Sequence, residues 1–414
     1  MKYRTAIRPW SNRRLEKMDK VDIVIGIATH NNQDTIEDLI DMVSEGIQKY
    51  YRNMKTLIIV ADGGSTDDTR DVANSKTVYP YIEKMVTIYR GNPGKSSAYR
   101  MIFESARFLN ARVCVICDPA AQNVKPEWIK NLIDPILIAD YHFAISSNNH
   151  HKHDAFLSNN FAYFLIRAFF GRQIRQPLGG DYGVSGNLAS FFIEQEIWEN
   201  QTSAYGIDLW MTLTATMEGF KVCQSNLGYK KVEHGNQFTF LEENFIEVIT
   251  SIFEMMEKYK GALSQINGSS PVTCYNEPLN ELVENTGVDG DECVRLFQEG
   301  FQHFSPLWQH VLKKENFEDL EKVSQLPKGP FSFPTDLWAR IIYDISQSYI
   351  GWNSTGKKLI QCLSPIYFGF LADFIFRTAE LNDTEVEEEV LKDAEVFEEM
   401  KKSYFMKETV ETSS

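Results

Sequence analysis

The sequence predicts an α/β protein in which a mostly parallel sheet is flanked by helices and followed by a helical C-terminal extension. Two observations carry this expectation. From residue 21, short apolar runs alternate with stretches whose apolar residues recur at helical spacing, a pattern of repeated βα units. Such units build parallel strands joined by right-handed crossovers. Beyond about residue 240 the strand pattern stops and long helical patterns take over.

The elements follow in order. "VDIVIGIATH" is a near-continuous apolar run, as a parallel strand covered on both faces requires. "DTIEDLIDMVSEGIQKYY" reads as a helix, with Asp34 placed to cap it. "TLIIVADGGSTDDT" is a second strand running into a Gly-rich loop, where Ser65, Thr66 and Asp67 offer caps to the next helix. "MVTIYRGNPGKSSAYRMIFESARFL" repeats the unit, and "RVCVICDPA" supplies a fourth strand. Residues 141–240 are less regular, with loops such as "NNHHKHD" and "RQPLGGDYG". "LEENFIEVITSIFEMMEKY", "DECVRLFQEGFQHF" and "LWARIIYDISQSYI" then read as helices. The expected divisions are an extension over 1–20, an α/β region over 21–240, helices over 241–400 and a frayed tail over 401–414.

Composition narrows the function classes. The 414 residues are 43% apolar, ample for a large core, and a net charge of -15 argues against a nucleic-acid or anionic-membrane partner. No apolar run is read as approaching the roughly 20 residues that span a bilayer. The basic N-terminus lacks the apolar segment of a signal peptide. Six scattered cysteines are read as reduced thiols, and "CVIC" lies within a strand that would point its two cysteines to opposite faces. A cytoplasmic protein is the expectation from these features. A homodimer through the tail is a further expectation, because "SPIYFGFLADFIF" is more apolar than a solvated helix needs.

Ligands of open α/β sheets bind beyond the carboxyl ends of the strands. Four such ends are readable: "ATHNNQDTI", "ADGGSTDDT", "RGNPGKSSA" and "CDPAAQN". Together they offer backbone donors, carboxylates and a lysine, a set suited to a nucleoside diphosphate. Neither the P-loop spacing nor G-x-G-x-x-G is present.

The order of these motifs resembles the glycosyltransferases of the GT-A type (Rossmann-like) fold, with family 2-like N-terminal motifs. "IVADGGSTDDT" is similar to that family's Asp-rich second loop, "GNPGKSSA" to its lysine-bearing loop, and "DPA" stands where its DxD motif falls. "RQPLGGDYGVSG", then "YGIDLWMTLTATMEGFKVCQSNLGYKKVEH", resembles the retaining branch that makes glucosyl-3-phosphoglycerate or mannosylglycerate.

The resemblance implies a hexosyl transfer from UDP-glucose or GDP-mannose to a small hydroxyl acceptor such as glycerate or 3-phosphoglycerate, with retention. It implies that Thr29 and Asn32 lie by the base, and that Asp62 and Lys95 contact the nucleotide. Asp118 would hold the ribose or assist a Mg²⁺ or Mn²⁺ ion, with His234 as the other ligand. Gln176, Leu178, Gly179 and Gly180 would floor the space between donor and acceptor. Asp208 would face the acceptor or the sugar and, with Leu178, carry the catalytic role; Gly180, Arg172 and Arg175 (and Arg167 just upstream) would lie near a phosphorylated acceptor. The same segments have plainer readings: Asp208 as the acidic start of a helix, the arginines as surface charges, His234 as a loop histidine. "HHKHD" is read as an exposed loop near the acceptor.

Three positions depart from the family pattern: Ala120 replaces the second DxD aspartate, Pro119 stands between, and "GKG" reads "GKS" at 94–96. Losing that carboxylate leaves weaker metal binding, a substitute ligand such as Asp118 or Gln122, metal-independent transfer, or a catalytically silent homologue. A nucleotidyltransferase lacks its class's basic Gly-rich opening loop here.

Overall fold

The computed structural model describes residues 4–153, 156–199, 204–232, 237–277, 287–329, 331–351 and 356–405. Its strands, in chain order, are β1 (Ile23–Thr29), β2 (Thr56–Asp62), β3 (Ile82–Ile88), β4 (Val113–Cys117), β5 (Phe143–Asn149), β6 (Arg172–Gln173), β7 (Tyr182–Ser185), β8 (Val222–Tyr229) and β9 (Ser270–Pro271). The chain divides into two compact units. One comprises Met1–Asn149, Gln176–Glu233 and Val272–Val283; the other comprises His150–Arg175, His234–Pro271 and Glu284–Ser414. Residues 150–175, read in sequence with the α/β region, thus group with the helical part.

The first unit is built on a seven-stranded sheet of order β3-β2-β1-β4-β7-β5-β8. Its pairs are parallel except those of β7, which runs antiparallel to both β4 and β5. Val113 faces Ser185 and Ile116 faces Tyr182 across the β4–β7 pair. Every residue of β2 and β4 is buried, which explains their unbroken apolar runs. The helices Ile36–Tyr50 and Pro126–Leu137 cover one face through Leu39, Ile40, Val43, Ile47, Trp128 and Ile133, packed on Ile23, Ile25 and Ile27. Each such aliphatic burial contributes about 1.5–3 kcal/mol. On the other face the helix Lys95–Phe108 approaches so closely that a Cβ at Gly26 would lie 2.5 Å from Ile102. The α/β class with its mostly parallel sheet is therefore present as expected.

Local capping differs from the sequence expectation. The helix after β1 begins at Ile36 with Thr35 at its N-cap, so Asp34 does not cap it; the Thr35 hydroxyl instead donates to the Pro119 carbonyl at 2.5 Å. The next helix, Thr69–Ser75, has Asp68 at its N-cap, so Ser65, Thr66 and Asp67 do not cap it, although Asp67 accepts from the Thr69 amide at 3.1 Å.

The second unit is helical, with the two-residue strands β6 and β9 paired in parallel. A π-helical turn, Ser158–Ala162, leads into the helix Tyr163–Phe170, whose residues are all buried. Its aromatic core includes Trp338 stacked on Phe370 and Tyr367 stacked on Phe245. One stretch corrects the reading that no apolar run nears membrane length: Leu359–Thr378 has the length and composition to cross a bilayer. Within this unit it is core, with 78% of its window buried. The same burial accounts for the apolar excess that suggested a dimer. The tail is helical as far as Phe405, and 406–414 lie outside the described residues. All six cysteines are free thiols.

Candidate functional site

Strand order reverses at β1: β2 and β3 lie to one side and β4 to the other. In open α/β sheets such a switch in strand order marks where ligands bind, beyond the carboxyl ends of the strands.

The first two loops lock into each other. Asn31, at φ 55°, takes a left-handed turn that few residues other than glycine and asparagine adopt. Its amide donates to the Ser65 hydroxyl at 2.9 Å, and its side-chain oxygen accepts from the Thr66 amide at 2.9 Å. Thr29 donates to the Asn32 side chain at 2.9 Å, and the Asn32 amide donates to the Thr69 hydroxyl at 2.7 Å. Asp62 is fully buried at the end of β2. It accepts from the Gly64 and Ser65 amides at 2.8 and 3.0 Å and from the Ser65 hydroxyl, with Arg70 3.6 Å away. Asp62 thereby shapes its own loop.

Lys95 opens the helix Lys95–Phe108, an end whose dipole disfavours a cation unless an anion faces it. That anion is Asp208 on the helix Ala204–Met217, with 3.3 Å between Lys95 Nζ and Asp208 Oδ2. Asp208 is buried, and its Oδ1 has no hydrogen-bond partner among the described residues. Burial raises its proton affinity above that of an ordinary carboxylate, and Lys95 opposes the shift.

A second charged cluster lies at the end of β4. The Lys230 ammonium donates to Asp118 Oδ2 at 3.0 Å and to Asp181 Oδ2 at 2.6 Å. The Asp118 amide donates to Asp181 Oδ1 at 2.8 Å, and Asp118 Oδ1 accepts from the Ala120 amide at 3.0 Å. The Lys230 and Asp181 side chains are 6% and 3% exposed, whereas Asp118 at 18% keeps one side open. Burial disfavours the ammonium, but the two carboxylates outweigh it and hold Lys230 protonated. Burial likewise opposes the charge on Asp118, and Lys230 and Lys95 hold it well below the usual carboxylate range. For Asp181 burial prevails over Lys230, with the charge of Asp118 adding to it, and its proton affinity rises.

Asn123 fixes this arrangement. Its side chain donates to the Tyr229 carbonyl and accepts from the Lys231 amide, both at 2.7 Å, so it brackets Lys230. Gln122 donates through its amide to the Lys231 carbonyl at 2.9 Å, which ties the loop after β4 to the end of β8. Lys230 and Asp181 carry no role in the sequence reading, although Asp181 fills the acidic position of the Q-P-L-G-G-[DE] pattern.

The loop before β7 is pinned from both sides. Gln176 exchanges two 2.7 Å hydrogen bonds with the Asn148 backbone, extending the pairing of β5. Gly179 lies so close to Ser146 that a Cβ would meet its carbonyl oxygen at 2.3 Å. Gly180, at φ +82°, sits over the ion cluster, where a Cβ would be 3.2 Å from both Asp118 Oδ2 and Lys230 Nζ. Leu178, just before Gly179, is half-buried.

The remaining candidates fall elsewhere. Arg172 and Arg175 belong to the second unit. Arg172 donates to the Ser270 hydroxyl at 2.8 Å. Arg175 forms a bidentate pair with Glu387 at 2.8 and 2.7 Å, donates to Asn159 and lies over the Tyr163 ring. Arg167 pairs with Glu398 at 2.8 Å. The "HHKHD" histidines are half-buried, which corrects the reading of an exposed loop. His153 lies 2.9 Å from the Thr378 hydroxyl, and burial, with Lys152 and His151, pushes it down to about 4. Lys152 donates to the Thr378, Ala379 and Leu381 carbonyls, capping the helix Ser364–Thr378. His234 and Asp154 lie outside the described residues.

Ala120 offers no side-chain oxygen, and Asp118 and Asp181 are already bridged by an ammonium. Among the described residues no group of three or more His, Cys, Asp or Glu is placed to hold a metal. These residues alone do not fit one.

Residues 24–195 match the family model of glycosyl transferase family 2. Similar solved structures include glucosyl-3-phosphoglycerate synthase from Mycobacterium tuberculosis in complex with Mn²⁺, UDP and glucosyl-3-phosphoglycerate. It shows 17% identity over 62% of this chain and 86% of that one, with a TM-score of 0.44. Its complex with phosphoglyceric acid shows 19% identity, 62% and 85% coverage and a TM-score of 0.45. The Mg²⁺ and UDP complex shows 18%, with the same coverage and a TM-score of 0.45. No curated protein matches.

Proposed function

We propose that the first unit binds a nucleotide sugar across the crevice between β1 and β4 and transfers its hexosyl group to a small hydroxyl acceptor with retention. The observation that carries this reading is Lys95, at a helix N-terminus within the segment that matches glycosyl transferase family 2, paired with the buried Asp208. A helix end and a lysine together stabilise negative charge building on a leaving diphosphate. On donor binding Lys95 exchanges part of its contact with Asp208 for the phosphate oxygens. Asp208, with one oxygen free of hydrogen bonds among the described residues, then accepts from the acceptor hydroxyl and orients it for front-side attack. Gly179, Gly180 and the Leu178 backbone form the floor on which the sugar rests.

UDP-glucose and GDP-mannose are the donors to test, with glycerate and 3-phosphoglycerate as acceptors. Calorimetry with each donor, then product detection with each acceptor, decides the matter. Failure to bind either donor rejects the reading. The capture of Asp118 by Lys230 favours one rival, a homologue that binds donor without turnover, and tight binding with neither hydrolysis nor transfer would establish it.

A further inference from the structure

We propose that Lys230 is the resident cation of this site: it neutralises Asp118 and Asp181 in place of a divalent metal, so that nucleotide binding here is independent of metal. The nucleotide part rests on the function proposed above; the exclusion of metal does not.

Two features lead to this. First, the Lys230 ammonium already sits where an ion shared by Asp118 and Asp181 would have to bind, at 3.0 and 2.6 Å from their oxygens. A divalent ion entering there would displace the ammonium or face its charge at contact distance. Second, the lysine is built in rather than loosely placed. Asn123 brackets its backbone, its side chain is 6% exposed, and its ammonium lies between two carboxylates. An ammonium carries three N–H donors, and two are used among the described residues. The third is left for a ligand oxygen. Because Asp118 keeps one side open and Gly180 brings no side chain over it, the charge-balanced carboxylate remains free to accept from a ribose hydroxyl.

The test uses the full chain and two probes, Mn²⁺ alone and UDP (or GDP). Electron paramagnetic resonance titration of wild type is expected to show no Mn²⁺ site sensitive to Asp118→Asn. UDP affinity is expected to be the same, within about threefold, in EDTA and in Mn²⁺. Lys230→Met should create a Mn²⁺ site, since it leaves two adjacent carboxylates without a counter-charge. Wild-type Mn²⁺ binding that Asp118→Asn abolishes would overturn the proposal, whether or not Lys230→Met folds. So would nucleotide binding that EDTA abolishes. Binding of neither nucleotide under any condition would instead reject the proposed function, while the Mn²⁺ titration still decides the metal question.

Discussion

Lys230→Met isolates the buried charge cluster. Methionine nearly matches the lysine stem in volume, so the change removes a charge and leaves packing largely intact. It strands Asp181, 3% exposed, beside Asp118 with no cation between them. Breaking a buried pair by removing one partner costs about 3–5 kcal/mol. For a unit of this size that corresponds to roughly 6–20 °C in Tm. The pH dependence carries a specific sign. In wild type, Lys230 is raised above its unfolded value, so its contribution is complete below about pH 10 and is lost as pH rises further. Asp118 is lowered, so its contribution is present above about pH 4 and is lost as pH falls. In the variant the stranded Asp181 takes up a proton on folding. The penalty therefore grows as pH rises from about 4 and shrinks again under mild acid. Thermal unfolding of both proteins at pH 5, 6, 7 and 8 measures this. A loss under about 1 kcal/mol at pH 7 would refute the reasoning, as would a loss that stays flat from pH 5 to 8.

Other substitutions probe neighbouring features. Gly180→Ala should cost about 1–2 kcal/mol from its left-handed backbone alone, and should also weaken UDP binding by crowding Asp118 and Lys230; urea unfolding and calorimetry read the two effects. Asn123→Ala should cost about 1–2 kcal/mol, because it leaves the Tyr229 carbonyl and Lys231 amide without that partner, and hydrogen exchange at the end of β8 should rise. Transfer activity should fall under acid at a higher pH than an ordinary carboxylate would impose, because burial raises Asp208, and Asp208→Asn should remove that limb of the profile. Arg175→Met should lower thermal stability by about 1–3 kcal/mol through the loss of its charge-assisted bonds, leaving UDP affinity unchanged; a selective rise in KM for a phosphorylated acceptor would assign it to the acceptor instead.

What the sequence disclosed follows from how each feature is encoded. Strands β1, β2 and β4 were legible because burial on both faces demands unbroken apolar runs. β7 was not: its four residues, "YGVS", carry no period long enough to read, and its direction is set by pairing with β4 and β5. Among site residues, Lys95 and Asp208 were named separately, but their pairing joins positions 113 residues apart and no local pattern encodes it. Lys230 was hidden for a different reason. As the first of two adjacent lysines after a strand, it reads as a solvated end, and only the Asn123 bracket turns it inward. Asp118 was seen as a carboxylate awaiting a cation; that the cation is supplied by the chain itself could be found only in three dimensions.

The antiparallel pairing of β7 has a consequence for how this loop can change over evolutionary time. Ile116 faces Tyr182, and Gly180, two residues before Tyr182, lies over Asp118, two residues after Ile116. The residue above Asp118 is thus chosen by counting back from β7, not by the path of the loop that precedes it. An insertion or deletion between Gly180 and Tyr182 would change that count and set a different side chain over the carboxylate. A change of length before Gly179 would leave the count intact. The short segment Gly180–Tyr182 is therefore the part of the loop whose length is frozen, and drift in length is confined to the residues upstream.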